Sequence, residues 1–448
     1  MVLLTSVMLL TVYLCLHGSH LHTADLLLHH HHRQLGHGLE DVSQADSQQD
    51  MDTSENAEVN HSETVDTNTH SDPVHTHRPV SDISQTSSNS SSQLFLPVKQ
   101  HVVFLKVHKA ASSTMQNILM RYAMTHRLNV LMRRDSLHIN HTGYHINRTD
   151  LVPLPAGHAK YDILCHHLFF DVDEISPFFP LDTVYVGIVR QPFSQFLSSF
   201  VYYSQWGHKY ILSAVNASRN DPIAGFLRNS SFHLGAKRPN QNMINNRMSV
   251  DFGIPLDDFE ASKSNQTRIS DFIRQLNSTF DLVMIAEMFD ESLVMLRRLL
   301  GWQTCDVIYM STNVFRPHKA TPFWVLDALG KKFPDDVMRR FEKWAAYDVA
   351  LYDNFLNIFK EKLRRQTYDF HAEVGIFKTL RRDLAKFCLA AKIDKPVDGE
   401  SEAVVVHTFN ATEYTGEVKV TARDCRLMQA KEGDLFVEAK ELQKKRLV

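Results

Sequence analysis

The stretch HVVFLKVHKAASST at residues 101–114 decides the fold of this chain. Its first half is a run of apolar and β-branched residues, which is typical of a buried strand. The run stops at Lys109 and a group of small residues, and an apolar face at helical spacing begins at Met115. This order predicts a strand, a tight loop and the start of a helix.

The loop in this stretch predicts a binding site for an anion. Ser112, Ser113 and Thr114 place hydroxyl groups and unpaired backbone N–H groups at the helix N-terminus, where the helix dipole favours negative charge. Lys109 adds a cation at the same place. The loop has no glycine, and its lysine precedes the small residues, so it departs from the Gly-x-x-x-x-Gly-Lys-Ser/Thr motif. We therefore expect a P-loop-like cradle for an anionic nucleotide that needs no metal.

The chain after this loop alternates between strand and helix patterns. Residues 183–189 and 281–285 are continuous apolar runs, the pattern of buried parallel strands. A shorter strand is predicted within residues 162–170, a helix opens at Pro192, and one long helix is predicted over residues 334–364. This alternation predicts an α/β fold, a central parallel sheet flanked by helices.

The N-terminal part of the chain has a different composition. Residues 2–16 form an uncharged apolar block, shorter than the roughly 20 residues of an ordinary membrane span. A cleaved signal peptide and an uncleaved signal-anchor both fit this block, and both direct the chain into the secretory pathway. We predict a signal-anchor segment at 1–19, whether or not it is cleaved, a disordered lumenal stem at 20–97, a folded domain at 98–369 and a C-terminal extension at 370–448 packed on it.

The whole-chain composition excludes one class of partner and indicates a compartment. The net charge of −3 gives no global field for nucleic-acid binding, so an anionic ligand must be met by local charge. Nine Asn-x-Ser/Thr triplets are consistent with a secreted glycoprotein. The cysteines Cys165, Cys305, Cys388 and Cys425 allow two disulfides in three connectivities, and their wide spacing does not resemble a zinc site.

Two segments resemble the donor-binding motifs of the Golgi sulfotransferases. Residues 109–114 are similar to their 5′-phosphosulfate loop. Residues 189–200 are similar to their 3′-phosphate motif, an Arg followed eight positions later by a Ser, here Arg190 and Ser198. The two motifs occur in order, each at a predicted strand-to-helix junction, and this combination is specific.

The galactose-3-O-sulfotransferase family gives the best resemblance. Blocks at 104–109, 163–167 and 286–293 look like blocks of that family, and the similarity covers roughly residues 98–365. The resemblance implies the sulfotransferase fold and transfer of sulfate from 3′-phosphoadenosine 5′-phosphosulfate to the 3-hydroxyl of a terminal β-galactose. It also implies a single-pass type II protein of the Golgi membrane with a lumenal catalytic domain, acting on a glycolipid or a glycoprotein glycan without a metal. Which galactoside is the acceptor, and the oligomeric state, stay open.

The resemblance also implies roles for individual residues. Lys109 would neutralise charge on the bridging oxygen as the S–O bond breaks. Arg190 and Ser198 would hold the 3′-phosphate. His167 would be the base that accepts the proton of the sugar hydroxyl, with His166 as the alternative. The 5′-phosphosulfate would be held by the residues of the loop, Lys109, Ala110, Ala111, Ser112, Ser113 and Thr114.

Several nearby residues keep two interpretations. His108 is either structural or lines the acceptor site, and Lys106 is either a second phosphate contact or a solvated lysine at a strand edge. Arg316 and Lys319 either close over the nucleotide or belong to an ordinary surface loop. The polar groups Asn240-Gln241-Asn242 and Asn245-Asn246-Arg247 either bind a glycan or fill a polar loop. Two rival functions also remain, a sulfotransferase for another sugar position such as a glycosaminoglycan uronate, and a catalytically silent glycan-binding module.

Overall fold

The computed structural model describes residues 97–140, 145–235, 241–311, 317, 319, 321–390 and 405–447. The predicted signal-anchor at 1–19 lies outside the described residues, as do Arg316 and all but the last position of the predicted stem. Among the described residues no helix is both long enough and apolar enough to cross a membrane. The division between a catalytic domain and a C-terminal extension stays a prediction.

A parallel sheet of four strands forms the centre of the fold, in the order β2-β1-β3-β4. Every residue of these strands is buried, which is why they appear in the sequence as continuous apolar runs. A separate antiparallel pair, β5 and β6, lies near the C-terminus. The strands are β1 (Val102–Phe104), β2 (Ile163–Leu164), β3 (Val184–Val189), β4 (Leu282–Ile285), β5 (Val405–Phe409) and β6 (Val418–Thr421).

Helices pack around the sheet, and the predicted α/β fold is confirmed. The helices up to β4 are α1 (Ser112–Thr125), α2 (Val172–Ile175), α3 (Pro192–Gln205), α4 (Lys209–Ala217), α5 (Pro222–Arg228), α6 (Ser230–Leu234), α7 (Arg247–Asp251), α8 (Phe259–Ser262) and α9 (Gln266–Thr279). After β4 follow α10 (Phe289–Leu300), α11 (Thr304–Val307), α12 (Phe323–Gly330), α13 (Asp335–Trp344), α14 (Ala346–Arg364), α15 (Asp369–Ala390), α16 (Ala422–Gln429) and α17 (Glu432–Lys444).

The single helix predicted over residues 334–364 is wrong, because the segment forms α13 and α14 with a break at Ala345. The backbone of Ala345 leaves the helical region, with φ −103° and ψ 31°. The Asn246 side chain fills the break: its Nδ2 donates to the carbonyl of Trp344 at 3.0 Å, and its Oδ1 accepts from the backbone N–H of Asp348 at 3.0 Å. Asn246 thus satisfies a backbone carbonyl at the end of α13 and a backbone N–H near the start of α14.

The sheet order brings the predicted site residues together. Lys109 follows β1, His167 follows β2, and Arg190 follows β3. The strands β2, β1 and β3 are neighbours and parallel, so their carboxyl ends lie at one edge of the sheet. Ligands of open α/β sheets bind at this edge.

The C-terminal elements are fastened to the rest of the fold by one disulfide and by helix packing. Cys388 of α15 is bonded to Cys425 of α16. The sequence allows two disulfides in three connectivities, and among the described cysteines only this bond is formed, since Cys165 and Cys305 are free thiols. Helix α17 packs against α1, the helix that begins at the Lys109 loop.

Candidate functional site

The Lys109 loop turns sharply between β1 and α1. Lys109 and Ala111 both adopt the left-handed conformation, with φ 59° and φ 61°, which is uncommon for residues other than glycine. The Ser112 hydroxyl donates to the carbonyl of Val107, so this side chain holds the loop closed. Such backbone strain in a loop held by its own contacts is typical of ligand-binding sites.

The other loop residues differ in their exposure. Ala110 and Thr114 are buried, Ser113 is half-buried and Ala111 is exposed. The predicted hydroxyl contacts to an anion therefore fall mainly to Ser113, because Ser112 is engaged with the loop carbonyl. The left-handed residue is Ala111, and Ser112 itself begins the helix, so the Ser112 side chain is accommodated without backbone strain.

The two predicted phosphate motifs meet in the structure. The Arg190 guanidinium donates from Nη1 to the carbonyl of Lys109 at 3.0 Å, although the two residues are 81 positions apart. Next to this contact, Gln195 Nε2 donates to the carbonyl of His108 at 2.9 Å. Helix α3, which follows Arg190, is thereby joined to the loop that follows β1.

Lys109 and Arg190 place two positive charges close together. Burial and the neighbouring Arg190 charge lower the pKa of Lys109 to about 8. The Lys109 ammonium lies 3.9 Å from the centre of the Tyr202 ring, a cation–π contact. A pair of cations that repel each other is stabilised by an anion bound between them, which fits a ligand with phosphate groups.

Ser198 lies on the face of α3 that is turned toward the loop. It is half-buried and sits one helical turn before Tyr202. Since the Tyr202 ring contacts the Lys109 ammonium, this face of α3 borders the Lys109 loop. The structure therefore brings Lys109 and Arg190 together, and helical spacing places Ser198 on the same side of α3 as Tyr202.

The two neighbouring histidines after β2 have different environments. His166 is wholly buried, accepts at Nδ1 from Gln116 Nε2 at 3.0 Å and packs edge-on against Phe436. Burial lowers the pKa of His166 to about 3, with a smaller contribution from the Lys106 charge. His166 does not line the cavity at the sheet edge, whereas His167 does. Of the two candidates for the base, the geometry favours His167.

The protonation pattern of His167 is set by one hydrogen bond. Its Nδ1 lies 3.0 Å from the backbone carbonyl of Lys106. A carbonyl only accepts, so Nδ1 carries the proton and Nε2 keeps a lone pair. Burial, followed by the nearby His108 and Lys106, holds the pKa of His167 well below its ordinary value. His167 is therefore neutral near pH 7, as a general base must be.

A second imidazole stacks on His167 and is held by a buried carboxylate. The His108 ring lies 3.9 Å from the His167 ring, centre to centre. Its Nδ1 is 2.8 Å from Asp251 Oδ2, and Arg247 Nη2 is 2.5 Å from Asp251 Oδ1. Although burial alone would raise it, the pKa of Asp251 is lowered by Arg247 and His108. Arg247 Nε also lies 3.3 Å from His108 Nδ1, but the carboxylate oxygen is closer, so Nδ1 carries the proton. Burial lowers the pKa of His108, so the ring is neutral and its Nε2 is unprotonated.

The sequence prediction missed Arg247 and Asp251 as a functional pair. One signal was present: the two residues have opposite charges at i, i+4 spacing, within the apolar surroundings of Met248, Val250 and Phe252. A charged pair in an apolar segment indicates a buried ion pair, but it does not name the histidine that the pair supports.

The stacked rings of His108 and His167, together with Arg247, line a cavity of about 130 Å³. Its size suits a small ring more than a whole nucleotide, because sites for larger ligands run to roughly 300–1,000 Å³. Asn140 lines the cavity. Its side chain accepts a hydrogen bond from the backbone N–H of Phe169 at 2.8 Å and donates one to the backbone carbonyl of Phe169 at 3.3 Å. The lining residues are His108, His138, Asn140, His167, Leu168, Phe169, Met243 and Arg247.

Both interpretations of Lys106 are wrong. The side chain is 0% exposed, and its ammonium lies 2.5 Å from Glu432 Oε1, so it neither contacts solvent nor reaches a phosphate. The asparagines Asn242, Asn245 and Asn246 are also buried, and their hydrogen bonds are to protein groups. They shape the fold near the cavity and do not present amides to a glycan.

Sequence comparisons show which proteins this chain is similar to. The model of the family described as Galactose-3-O-sulfotransferase matches residues 65–398. Galactose-3-O-sulfotransferase 3 of Mus musculus is 34% identical over 267 residues, which are 59% of this chain and 57% of that protein. Galactose-3-O-sulfotransferase 2 of Sus scrofa is 31% identical over 299 residues, 65% of this chain and 70% of that protein.

Galactosylceramide sulfotransferase of Mus musculus is 28% identical over 285 residues, 64% of this chain and 62% of that protein. The chain thus spans less than two thirds of the length of the two Mus musculus relatives. The family match itself covers well over half of the chain. This chain belongs to the galactose-3-O-sulfotransferase family.

Proposed function

We propose that this protein is a carbohydrate sulfotransferase. It transfers sulfate from 3′-phosphoadenosine 5′-phosphosulfate to the 3-hydroxyl of a terminal β-galactose on a glycolipid or a glycoprotein glycan. The observation that carries the proposal is the hydrogen bond from Arg190 to the Lys109 carbonyl, because it joins two phosphate motifs into one site. A donor with two separated anionic groups matches two adjacent cationic groups.

The donor fits the residues around the Lys109 loop. Its 5′-phosphosulfate is placed against the N-terminus of α1 and the Ser113 hydroxyl, where the helix dipole favours an anion. Its 3′-phosphate is placed against Arg190, whose guanidinium forms charge-assisted hydrogen bonds, and against Ser198. Lys109 and Arg190 supply the positive charge that the transfer needs, so the proposal includes no metal.

The acceptor galactose occupies the cavity beside His167. The 3-hydroxyl gives its proton to His167 Nε2 while its oxygen attacks the sulfur on the side opposite the bridging oxygen. The S–O bond to the 5′-phosphate breaks in the same displacement, and its electron pair stays on the phosphate oxygen. Lys109 neutralises the charge that develops there. Because attack and departure occur together, no covalent enzyme intermediate forms.

His108 has a supporting role in this proposal. Its ring is held by Asp251 and stacked on His167, so it forms one wall of the acceptor cavity. With Nδ1–H committed to the carboxylate, His108 Nε2 is an acceptor for a second sugar hydroxyl. The pair of stacked imidazoles thus orients the galactose and leaves the proton transfer to His167.

The activity is expected to depend on pH through Lys109. Its pKa of about 8 means that the ammonium loses its charge as the pH rises through this value. We expect kcat/KM for the donor, which reports the free enzyme, to fall above about pH 8. Lys109→Arg keeps the charge and should move this alkaline limb to higher pH. An alkaline limb that is unchanged in Lys109→Arg would assign the titration to another group.

The acceptor class is tested by a transfer assay with radiolabelled donor. The panel contains galactosylceramide, lactosylceramide, galactose-terminated glycans and a glycosaminoglycan with uronic acids. We expect label only on acceptors with a terminal β-galactose. Label on the uronic acids alone would replace the proposal with another sulfotransferase specificity, and no label on any acceptor would favour a glycan-binding module.

We also propose that the protein is a type II protein of the Golgi membrane. The uncharged apolar block at residues 2–16 and the Asn-x-Ser/Thr triplets support this location. Immunofluorescence of the tagged full chain, together with protease protection of isolated vesicles, tests both the compartment and the orientation. A cytosolic tag at the C-terminus would contradict the proposal.

A further inference from the structure

The C-terminal elements from residue 405 onward lie outside the segment 65–398 that the family model matches. They are nevertheless tied to the helix that begins at the Lys109 loop. Asn117 of α1 donates from Nδ2 to the carbonyl of Leu427 at 2.8 Å, and the backbone N–H of Val130 donates to Gln443 Oε1 at 2.8 Å. The segment therefore packs against α1 and the chain that follows it.

This segment supplies the partner of a buried charge. Lys106 Nζ lies 2.5 Å from Glu432 Oε1 and 2.7 Å from Gln116 Oε1. Lys106 is 0% exposed, and a buried ammonium without a carboxylate is strongly destabilising. Burial alone would raise the pKa of Glu432, but Lys106 holds it below its ordinary value. Burial lowers the pKa of Lys106 and Glu432 opposes this shift, and the contact between the two charged groups makes them an ion pair.

Hydrogen bonds connect the ion pair to both histidines: Lys106 contacts His167, and Gln116 contacts His166. The backbone carbonyl of Lys106 accepts the Nδ1–H of His167 at 3.0 Å. On the other side, Gln116, which holds the Lys106 ammonium, donates to His166. The position of Lys106 thus determines where the carbonyl lies that fixes the His167 tautomer.

We propose that Glu432 is a positioning residue for His167. Its carboxylate anchors the Lys106 ammonium, and the anchored residue keeps its carbonyl in line with His167 Nδ1. Without the carboxylate, the ammonium is driven toward water, and this movement displaces the carbonyl. The His167 ring then loses the contact that reserves Nε2 for the acceptor. This inference rests on the proposed function for the role of His167 and extends the site to the C-terminal segment.

The kinetic test uses the full chain with Glu432→Gln. We expect kcat to fall roughly 10- to 100-fold, a typical loss when a group that orients a catalytic side chain is removed. The donor KM should stay close to that of the wild type, because Glu432 touches none of the predicted donor contacts. Glu432→Asp, which keeps the carboxylate, should recover most of the activity.

A double variant separates positioning from loss of fold. In Lys106→Met with Glu432→Gln no buried ammonium needs a partner, so residue 106 is expected to stay in place and kcat to return toward the wild-type value. Thermal unfolding of each variant shows whether lost activity follows lost folding. Wild-type kcat in Glu432→Gln, or a double variant as slow as the single one, would overturn the inference.

A spectroscopic measurement decides the inference even if the wild type transfers no sulfate. Nitrogen chemical shifts of ¹⁵N-labelled histidines distinguish the Nδ1–H and Nε2–H tautomers of His167. We expect the Nδ1–H form in the wild type and in the double variant, and a mixture in Glu432→Gln. Identical spectra for the wild type and Glu432→Gln would overturn the inference, whereas an inactive wild type would overturn only the proposed function.

Discussion

Lys109→Ala is expected to lower kcat for sulfate transfer by roughly 10²- to 10³-fold, the usual cost of removing one group that stabilises developing charge. The reason is local: Lys109 is the lysine of the strained loop, and its ammonium is next to Arg190 at the predicted sulfate. Transfer of radiolabelled sulfate to a β-galactoside under saturating donor measures this loss.

The fold of Lys109→Ala should be nearly unchanged. The side chain is half-buried, and the cation–π contact with Tyr202 that it loses contributes about 0.5–1 kcal/mol. Lys360→Ala, an exposed lysine of α14, is the matched control and should keep wild-type activity. A Lys109→Ala enzyme that is folded and as active as the Lys360→Ala control would remove Lys109 from the chemistry.

His167→Ala is expected to lower kcat by roughly 10²- to 10⁴-fold, the range for loss of a general base. The donor affinity should change little, because the Lys109 loop and Arg190 do not depend on the His167 ring for their contact. Calorimetry measures the binding of adenosine 3′,5′-bisphosphate, the product that the donor leaves, and a transfer assay measures kcat. Both measurements on the same preparation separate nucleotide affinity from catalysis.

The control for this variant is His371→Ala, an exposed histidine of α15. It should match the wild type in both measurements. If His167→Ala keeps the wild-type rate while His108→Ala abolishes it, the base is His108, which also has an unprotonated Nε2 and a buried carboxylate partner. If both variants remain active, the proton leaves by another route.

The parts of the site that follow single strands were predictable from the sequence. Arg190 comes directly after an apolar run, Lys109 and His167 come shortly after one, and parallel strands place their carboxyl ends at one edge. Strand pattern and strand direction predicted the common edge, whereas the roles of His167 and Arg190 came from the resemblance to the sulfotransferase motifs. The same reasoning gave the parallel sheet and the helix that opens at Pro192.

The parts that depend on long-range contacts were not predictable. Asp251 meets His108 across 143 residues, and Asn246 breaks the predicted long helix by bonding to Trp344 across 98 residues. Neither contact leaves a periodic pattern in the sequence around the residues that form it. The same holds for Lys106, whose buried ammonium is paired with Glu432 of α17. A single sequence shows the charge but not the partner that makes its burial possible.

The central claim is that the Lys109 loop and Arg190, which precedes α3, form one site for a donor with two separated phosphates. It is tested most directly by calorimetric titration with adenosine 3′,5′-bisphosphate and adenosine 5′-monophosphate. A charge-assisted contact to the 3′-phosphate predicts that the wild type binds the bisphosphate roughly 10- to 100-fold more tightly, and that Arg190→Ala loses this preference. Equal affinity of the wild type for both nucleotides would contradict the account.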